Sequence, residues 1–152
     1  MIEPFMEKRV AMAMRPQGQA ILASVTAAEI FGTAPAPQAH GFYAAVGRRL
    51  AGHIDLALVF DTDMLVARIN SFWAAMEWGE ATLELGEDAI FIQHRGLPDG
   101  MDGDIDGCWP KMATAILEGA YDAWFRALGS DEKLATKLVE WRDGVVRLRH
   151  GG

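Results

Sequence analysis

The change of hydrophobic period at Gly79 constrains the fold of this chain more than any other feature. Before it, "DTDMLVARINSFWAAMEWG" (residues 61–79) repeats apolar residues every three or four positions, which predicts a helix that Asp61 starts and Gly79 ends. After it, "EATLELGEDAIFIQHR" (residues 80–95) alternates apolar and polar residues around the turn "GED", which predicts a β-hairpin. The chain therefore combines helices with antiparallel strands.

The same signals predict three more helices and a second hairpin. The helices cover residues 19–31, 42–58 and 111–128, the last with Pro110 in its first turn, and the hairpin covers residues 137–150 around Asp143-Gly144. We therefore predict an α+β fold, with several helices packed on a small antiparallel sheet made of hairpins.

Two segments lack a clear period. Residues 1–18 are interrupted by Pro4, Pro16 and Gly18, and we interpret them as an N-terminal arm that precedes a single domain over residues 19–152. "GTAPAPQAHG" (residues 32–41) contains two prolines and is predicted to be an extended connector.

Two apolar stripes indicate which helix faces are buried. They comprise Phe42, Val46, Leu50 and Ile54 in the second helix, and Leu65, Ile69, Phe72, Trp73 and Met76 in the third. Gly47, Ala51 and Gly52 lower helix propensity in the second helix but let another backbone approach, which predicts tight packing there.

Composition excludes several kinds of protein. The net charge is −7 and basic residues are scattered, so nucleic acid is not an expected partner. No apolar run is long enough to span a bilayer, and the charged N-terminus is a poor secretory signal, so we expect a protein that is not membrane-spanning and is cytoplasmic. Cys108 is the single cysteine, which excludes an internal disulfide and a cysteine zinc cluster.

The acidic stretch "LPDGMDGDIDGCWP" (residues 97–110) resembles the start of a calcium-binding loop. Asp102, Asp104 and Asp106 alternate and are followed by Gly107, but the twelfth position, where calcium needs a bidentate glutamate, is Ala113. Aspartate and glycine are also common in solvated turns. We interpret the stretch as a surface loop, and ion binding by it remains open.

Candidate catalytic and metal-binding residues do not form a known pattern. The histidines, His40, His53, His94 and His150, lack metal-ligand spacing, and none of the serines, Ser24, Ser71 and Ser130, lies in a nucleophile elbow. Acidic neighbours of Cys108 disfavour a thiolate. Pairs of carboxylates, Glu77 with Glu80 and Glu84 with Glu87, could serve a glycosidase, but their spacing alone does not establish one. We therefore predict no catalytic, cofactor-binding or metal-binding residues, and no cofactor.

Large aromatic residues are abundant for one small domain: Trp73, Trp78, Trp109, Trp124 and Trp141, with Phe72, Tyr121 and Phe125. A well-filled core explains most of them. The sequence leaves open whether some are anchors of a protein interface or a surface on which sugars stack.

Four pieces of the chain occur in a characteristic order: "VGRRLAG" (46–52), "INSFWAAMEWGEATLEL" (69–85), "AIFIQHRGLP" (89–98) and "ILEGAYDAWF" (116–125). In this combination they resemble the bacterial cellulose synthase operon protein D family. The resemblance covers about residues 41–128. It implies a non-catalytic accessory subunit of cellulose biosynthesis that forms a ring-like octamer, a tetramer of dimers, with passageways that guide glucan chains. The resemblance also implies partners, namely the cellulose synthase complex and a proline-rich accessory protein of the same operon, and periplasmic location as an alternative to the cytoplasm.

Two other functions compete with this structural role. One is a small-molecule sensor with an apolar pocket lined by Phe72, Trp73, Tyr121 or Trp124. The other is a glycan hydrolase that uses Glu77 or Glu84.

Overall fold

A computed structural model describes residues 18–152, which form four helices and one sheet. The helices are α1 (Gly18–Thr33), α2 (Ala36–Ala51), α3 (Thr62–Met76) and α4 (Trp109–Ala127), and the strands are β1 (Glu80–Leu85), β2 (Ala89–Arg95), β3 (Ala135–Arg142) and β4 (Val145–Gly151). The predicted α+β class is confirmed. The predicted N-terminal arm lies outside the described residues, except for Gly18, which begins α1.

The two predicted hairpins join into one antiparallel sheet with the strand order β1-β2-β4-β3. The first hairpin pairs Glu80 with Arg95 and Leu85 with Ile90. In the second, Asp143 and Gly144 both have positive φ, 54° and 76°, as a two-residue turn of this kind requires. Pairing of β2 with β4 places the hairpins side by side, so β1 and β3 are the edges of the sheet.

The prediction of an extended connector over residues 32–41 is wrong, because most of these residues are helical. Only Ala34 and Pro35 separate α1 from α2, and Pro37 lies in the first turn of α2. A proline fits there because the N–H that it lacks would have no helical acceptor. The prolines therefore begin the second helix instead of extending the connection.

The second helix also ends earlier than predicted and buries a different face. It stops at Ala51, and its buried residues are Ala39, Tyr43, Gly47 and Ala51, one position away from the predicted apolar stripe. Small residues decide this face, as the predicted tight packing required. A methyl group on Gly47 would overlap the Ile116 carbonyl of α4, and one on Gly119 of α4 would overlap the carbonyl of Ala44.

Helix α3 follows its predicted stripe. Its Leu65, Ile69 and Trp73 are buried, and the Asp61 carboxylate accepts a hydrogen bond from the Met64 N–H, as expected of an N-cap. The helix ends in a left-handed residue, Glu77, with a φ of 59°.

Helix α4 is the centre of the fold. Thirteen of its residues are buried, because it packs against α2 on one side and against β3 and β4 on another. Its Trp124 donates from Nε1 to the carbonyl of Ala51 at 3.0 Å, which satisfies an acceptor at the end of α2. The core is therefore arranged around one helix.

Candidate interaction surface

The acidic loop between β2 and α4 caps α4 and holds α1. The two carboxylate oxygens of Asp104 accept hydrogen bonds from the backbone N–H groups of Cys108, at 2.8 Å, and Trp109, at 2.9 Å. Asp102 uses its backbone carbonyl, which accepts from the hydroxyl of Ser24 in α1 at 2.7 Å. A carboxylate is favourable at the N-terminal end of a helix, so the loop has a structural role that its sequence did not reveal.

The histidines lie in four separate environments. His40 contacts Glu118, and His53 lies beside Phe72, while His94 and His150 are buried in different parts of the core. Within residues 18–152, no group of three histidine, cysteine, aspartate or glutamate side chains could hold a metal ion.

His94 is at the centre of a buried hydrogen-bond chain. Its Nε2 lies 2.6 Å from the carbonyl of Trp78, which can only accept, so Nε2 carries the proton. Its Nδ1 therefore accepts from the Tyr121 hydroxyl at 2.7 Å, and that oxygen accepts from Trp73 Nε1 at 3.1 Å. Burial lowers the pKa of His94 to about 4, although the bond to Trp78 opposes the shift, and burial raises the pKa of Tyr121. This chain is neutral and fully paired at pH 7.

Ser130 and His150 form a pair that the sequence did not predict. The Ser130 hydroxyl lies 2.6 Å from Nε2 of His150, and Nδ1 lies 2.8 Å from the hydroxyl of Thr136 and 3.6 Å from Asp122. Burial lowers the pKa of His150, with Asp122 opposing and Arg126 adding to the shift. The arrangement resembles a nucleophile beside a base.

Two backbone N–H groups beside this serine are not free to form an oxyanion site. The N–H groups of Gly129 and Ser130 already donate to the carbonyls of Arg126 and Phe125 at the end of α4, at 3.0 Å each. Acyl transfer needs free donors near the nucleophile, so the Ser130–His150 pair is best explained as a contact between the loop that follows α4 and strand β4.

Cys108 is buried at the start of α4. Burial raises the pKa of its thiol, and the carboxylates of Asp104 and Asp106 raise it further, against the opposing charge of Lys111. A thiol that stays protonated is a weak nucleophile.

The aromatic residues of the predicted pocket fill the core instead. Phe72, Trp73, Tyr121 and Trp124 pack on one another with ring centroids 5.4 to 6.2 Å apart. Trp73 has no exposed surface, and Trp124 is 1% exposed. The hypothesis of a ligand pocket among these four side chains is wrong. The proposed hydrolase residues, Glu77 and Glu84, are exposed.

Helices α1 and α2 expose large apolar side chains. Leu22 is 68% exposed, Val25 57% and Phe42 47%. Leu22 and Phe42 line a shallow depression of about 350 Å³, and we call this surface the helical face; its lining residues are Gln19, Leu22, Ala23, Thr26, Phe42, Tyr43, Val46 and Met112. Clustered apolar residues on a surface mark sites of contact with other molecules.

A second apolar region, which we call the sheet cleft, lies between the first hairpin, the start of α3 and the end of α4. It has a volume of about 610 Å³ and is lined by Leu65, Leu83, Ile90 and Phe125, among others. Its rim includes Phe60, which is 80% exposed, and Leu85, which is 61% exposed. The alternation in residues 80–95 places Leu83 and Leu85 on one face of a strand, but no pattern in the sequence shows that Phe60 lies beside them.

None of the helices in residues 18–152 is both long and apolar enough to cross a bilayer. Every buried side-chain polar atom in that part of the chain has a hydrogen-bond partner. These features define a class: a small α+β domain with a closed aromatic core and an apolar helical surface.

Comparison with known proteins assigns the family. The family model for the D subunit of cellulose synthase matches residues 11–151, so the chain belongs to that family. The predicted resemblance is confirmed.

Curated relatives give the same result. Proteins called cellulose synthase operon protein D from Komagataeibacter xylinus and Komagataeibacter sucrofermentans are each 34% identical to this chain over 82 residues. The match covers 52% of this chain and 51% of each relative, so the aligned part spans about half the length of the curated relatives.

Proposed function

We propose that this protein is a non-catalytic accessory subunit of cellulose biosynthesis that assembles with further copies of itself into a ring-like oligomer. The observation that carries this proposal is the helical face, where Leu22 and Phe42 are exposed although the core is well filled. Burial of each such side chain in a subunit interface contributes about 1.5 to 3 kcal/mol. Membership of the family supports an octamer, as the resemblance implies.

Within this assembly the protein would guide glucan chains or organise synthase complexes for ordered cellulose deposition. The cellulose synthase complex and a proline-rich accessory protein of the same operon are the partners that the family resemblance implies. The compartment stays a sequence-based prediction, the cytoplasm with the periplasm as the alternative. Fractionation of cells that make the protein tests it.

The test of assembly compares two matched substitutions by analytical ultracentrifugation. Leu22→Asp places a charge on the helical face, and Ile105→Asp places one on the acidic loop, where Ile105 is 95% exposed. We expect the first to reduce the oligomer to smaller species and the second to leave it unchanged. If both variants sediment like the wild type, the helical face is not part of the subunit interface.

The test of the cellulose role uses the same variants in a cellulose-producing bacterium whose own protein of this family has been deleted. We expect the wild type and Ile105→Asp to restore the yield of crystalline cellulose and Leu22→Asp to fail. Full restoration of the cellulose yield by Leu22→Asp would show that assembly through the helical face is not needed for cellulose production, which contradicts the proposal.

A further inference from the structure

The edge strand β3 is protected against pairing with other chains. The Glu118 carboxylate of α4 accepts from the N–H of Leu138 at 3.0 Å, and Asp122 accepts from the N–H of Thr136 at 3.2 Å. The register of β3 also shifts between Leu138 and Glu140, which bends the strand. Charges and bulges of this kind are how native sheets block further strands.

The edge strand β1 is protected only at one end. The Asn70 side chain of α3 accepts from the N–H of Ala81 at 2.7 Å and donates to its carbonyl at 3.0 Å. Backbone groups of alternate residues point the same way, so those of Leu83 and Leu85 also point away from β2. Among residues 18–152, hydrogen-bond partners for these four groups are absent.

The open part of β1 adjoins the sheet cleft. The side chains of Leu83 and Leu85 line the cleft together with Phe60, so apolar surface and free backbone groups lie side by side. The described residues that line the cleft include three carboxylates, those of Asp61, Glu87 and Asp88, and no lysine or arginine. On the other face of β1, Glu80 and Glu84 are exposed.

A second copy of this chain fits the open edge poorly. If β1 of two copies paired through Leu83 and Leu85, the two Glu84 carboxylates would lie directly opposite each other. Like charges in that position are destabilising. The charge of the edge calls for a cationic partner.

We propose that the open part of β1 and the sheet cleft bind an extended segment of a partner protein, in which apolar side chains alternate with lysine or arginine. The segment adds a strand beside Leu83 and Leu85. Its apolar side chains enter the cleft, and its basic side chains lie on the opposite face, near Glu84. This site is separate from the helical face and does not depend on self-assembly.

The experiment uses a blocked seven-residue peptide of alternating lysine and valine, titrated into the full chain by calorimetry at physiological salt. The control peptide has a methyl group on every amide nitrogen, which keeps charge and side chains but removes the backbone donors. We expect the control to bind at least about tenfold more weakly, because the main-chain hydrogen bonds supply the affinity of strand addition. Hydrogen exchange should show slower exchange at Leu83 and Leu85 with the unmodified peptide.

Protein variants separate this site from the assembly surface. Leu85→Ser should weaken peptide binding about tenfold, and Leu22→Ser, at a side chain of similar exposure on the helical face, should leave it unchanged. Equal binding of both peptides would mean charge attraction alone and would overturn the proposal, as would no binding. A lower oligomer mass for Leu85→Ser than for the wild type would assign the edge to a second copy and would also overturn it.

Discussion

Helices α1 and α4 have similar lengths but opposite surroundings. In α4, thirteen of 19 residues are buried, between α2, the sheet and the acidic loop. In α1, only Ser24 and Ala27 of 16 residues are buried, and Leu22 and Val25 face solvent. Most helical stability comes from packing, so contacts among residues 18–152 explain α4 but only partly explain α1. In the assembly that we propose, another subunit supplies further contacts to α1.

The largest effect is expected where α4 meets α2. Gly119→Ala would place a methyl group against the backbone carbonyl of Ala44 and separate the helices, at a cost of about 3 kcal/mol in the free energy of unfolding. Urea denaturation measures it. Gly41→Ala is the matched control, since nothing lies within 4 Å of the added methyl group, and it should stabilise the protein by about 0.5 to 1 kcal/mol. Equal effects of the two substitutions would contradict the close approach of α2 and α4.

Acid should weaken the core beside α4 through His94. The pKa of His94 is about 4 in the folded protein and 6.5 unfolded, so between these values the unfolded state binds more protons. Stability is therefore lost as the pH falls from 7 towards 4, and His94 contributes about 2 kcal/mol of the loss by pH 4.5.

The His94→Gln variant isolates this contribution. Glutamine can accept and donate a hydrogen bond but does not titrate, so its unfolding free energy should fall less steeply over the same pH range. All other side chains are the same in both proteins, so their contributions to the pH dependence cancel in the comparison. If the unfolding free energies of the wild type and His94→Gln fall equally steeply with pH, the folded protein does not hold His94 in its neutral form.

A smaller loss is expected at the start of α4. Asp104→Ala removes two hydrogen bonds to the first turn and should cost about 1 kcal/mol, read from thermal unfolding. Asp106→Ala, at an exposed carboxylate of the same loop, should change stability by less than about 0.5 kcal/mol. Calcium should not raise the melting temperature of the wild type, and a rise that Asp106→Ala abolishes would restore the loop as an ion site.

The effect most specific for α1 concerns hydrogen exchange. If a second subunit covers the helical face, the α1 amides should exchange about tenfold more slowly at high protein concentration than at low, whereas those of α4 should not respond. Leu22→Asp should remove the dependence. If the exchange rates of the α1 amides in the wild type do not depend on protein concentration, no second subunit covers α1, and this prediction is wrong.

Local patterns predicted most of the elements but not how they meet. The alternation in residues 80–95 and the Asp143-Gly144 turn predicted both hairpins, because side-chain period and turn geometry are local. Pro35 and Pro37 led to the wrong prediction of an extended connector. Proline is compatible with the end of one helix and also with the first turn of the next. The buried face of α2 was missed by one position, because close backbone contact at Gly47 outweighs the burial of larger side chains.

The site was harder to predict than the fold. Asp104 caps a helix that begins five residues later, and His94 bonds to Tyr121 across 27 residues, so neither contact has a local signature. The sequence did not reveal the helical face for a different reason. Leu22 has the helical spacing that is typical of core residues, and only the arrangement of the other helices leaves it exposed.

The mass of the purified wild-type protein in solution tests the central claim most directly. Light scattering at micromolar concentration should give one discrete species at a multiple of 16.6 kDa, eight subunits if the chain follows its family. A mass of 16.6 kDa under these conditions would mean that α1 is stable without a neighbour, and it would contradict the proposed assembly.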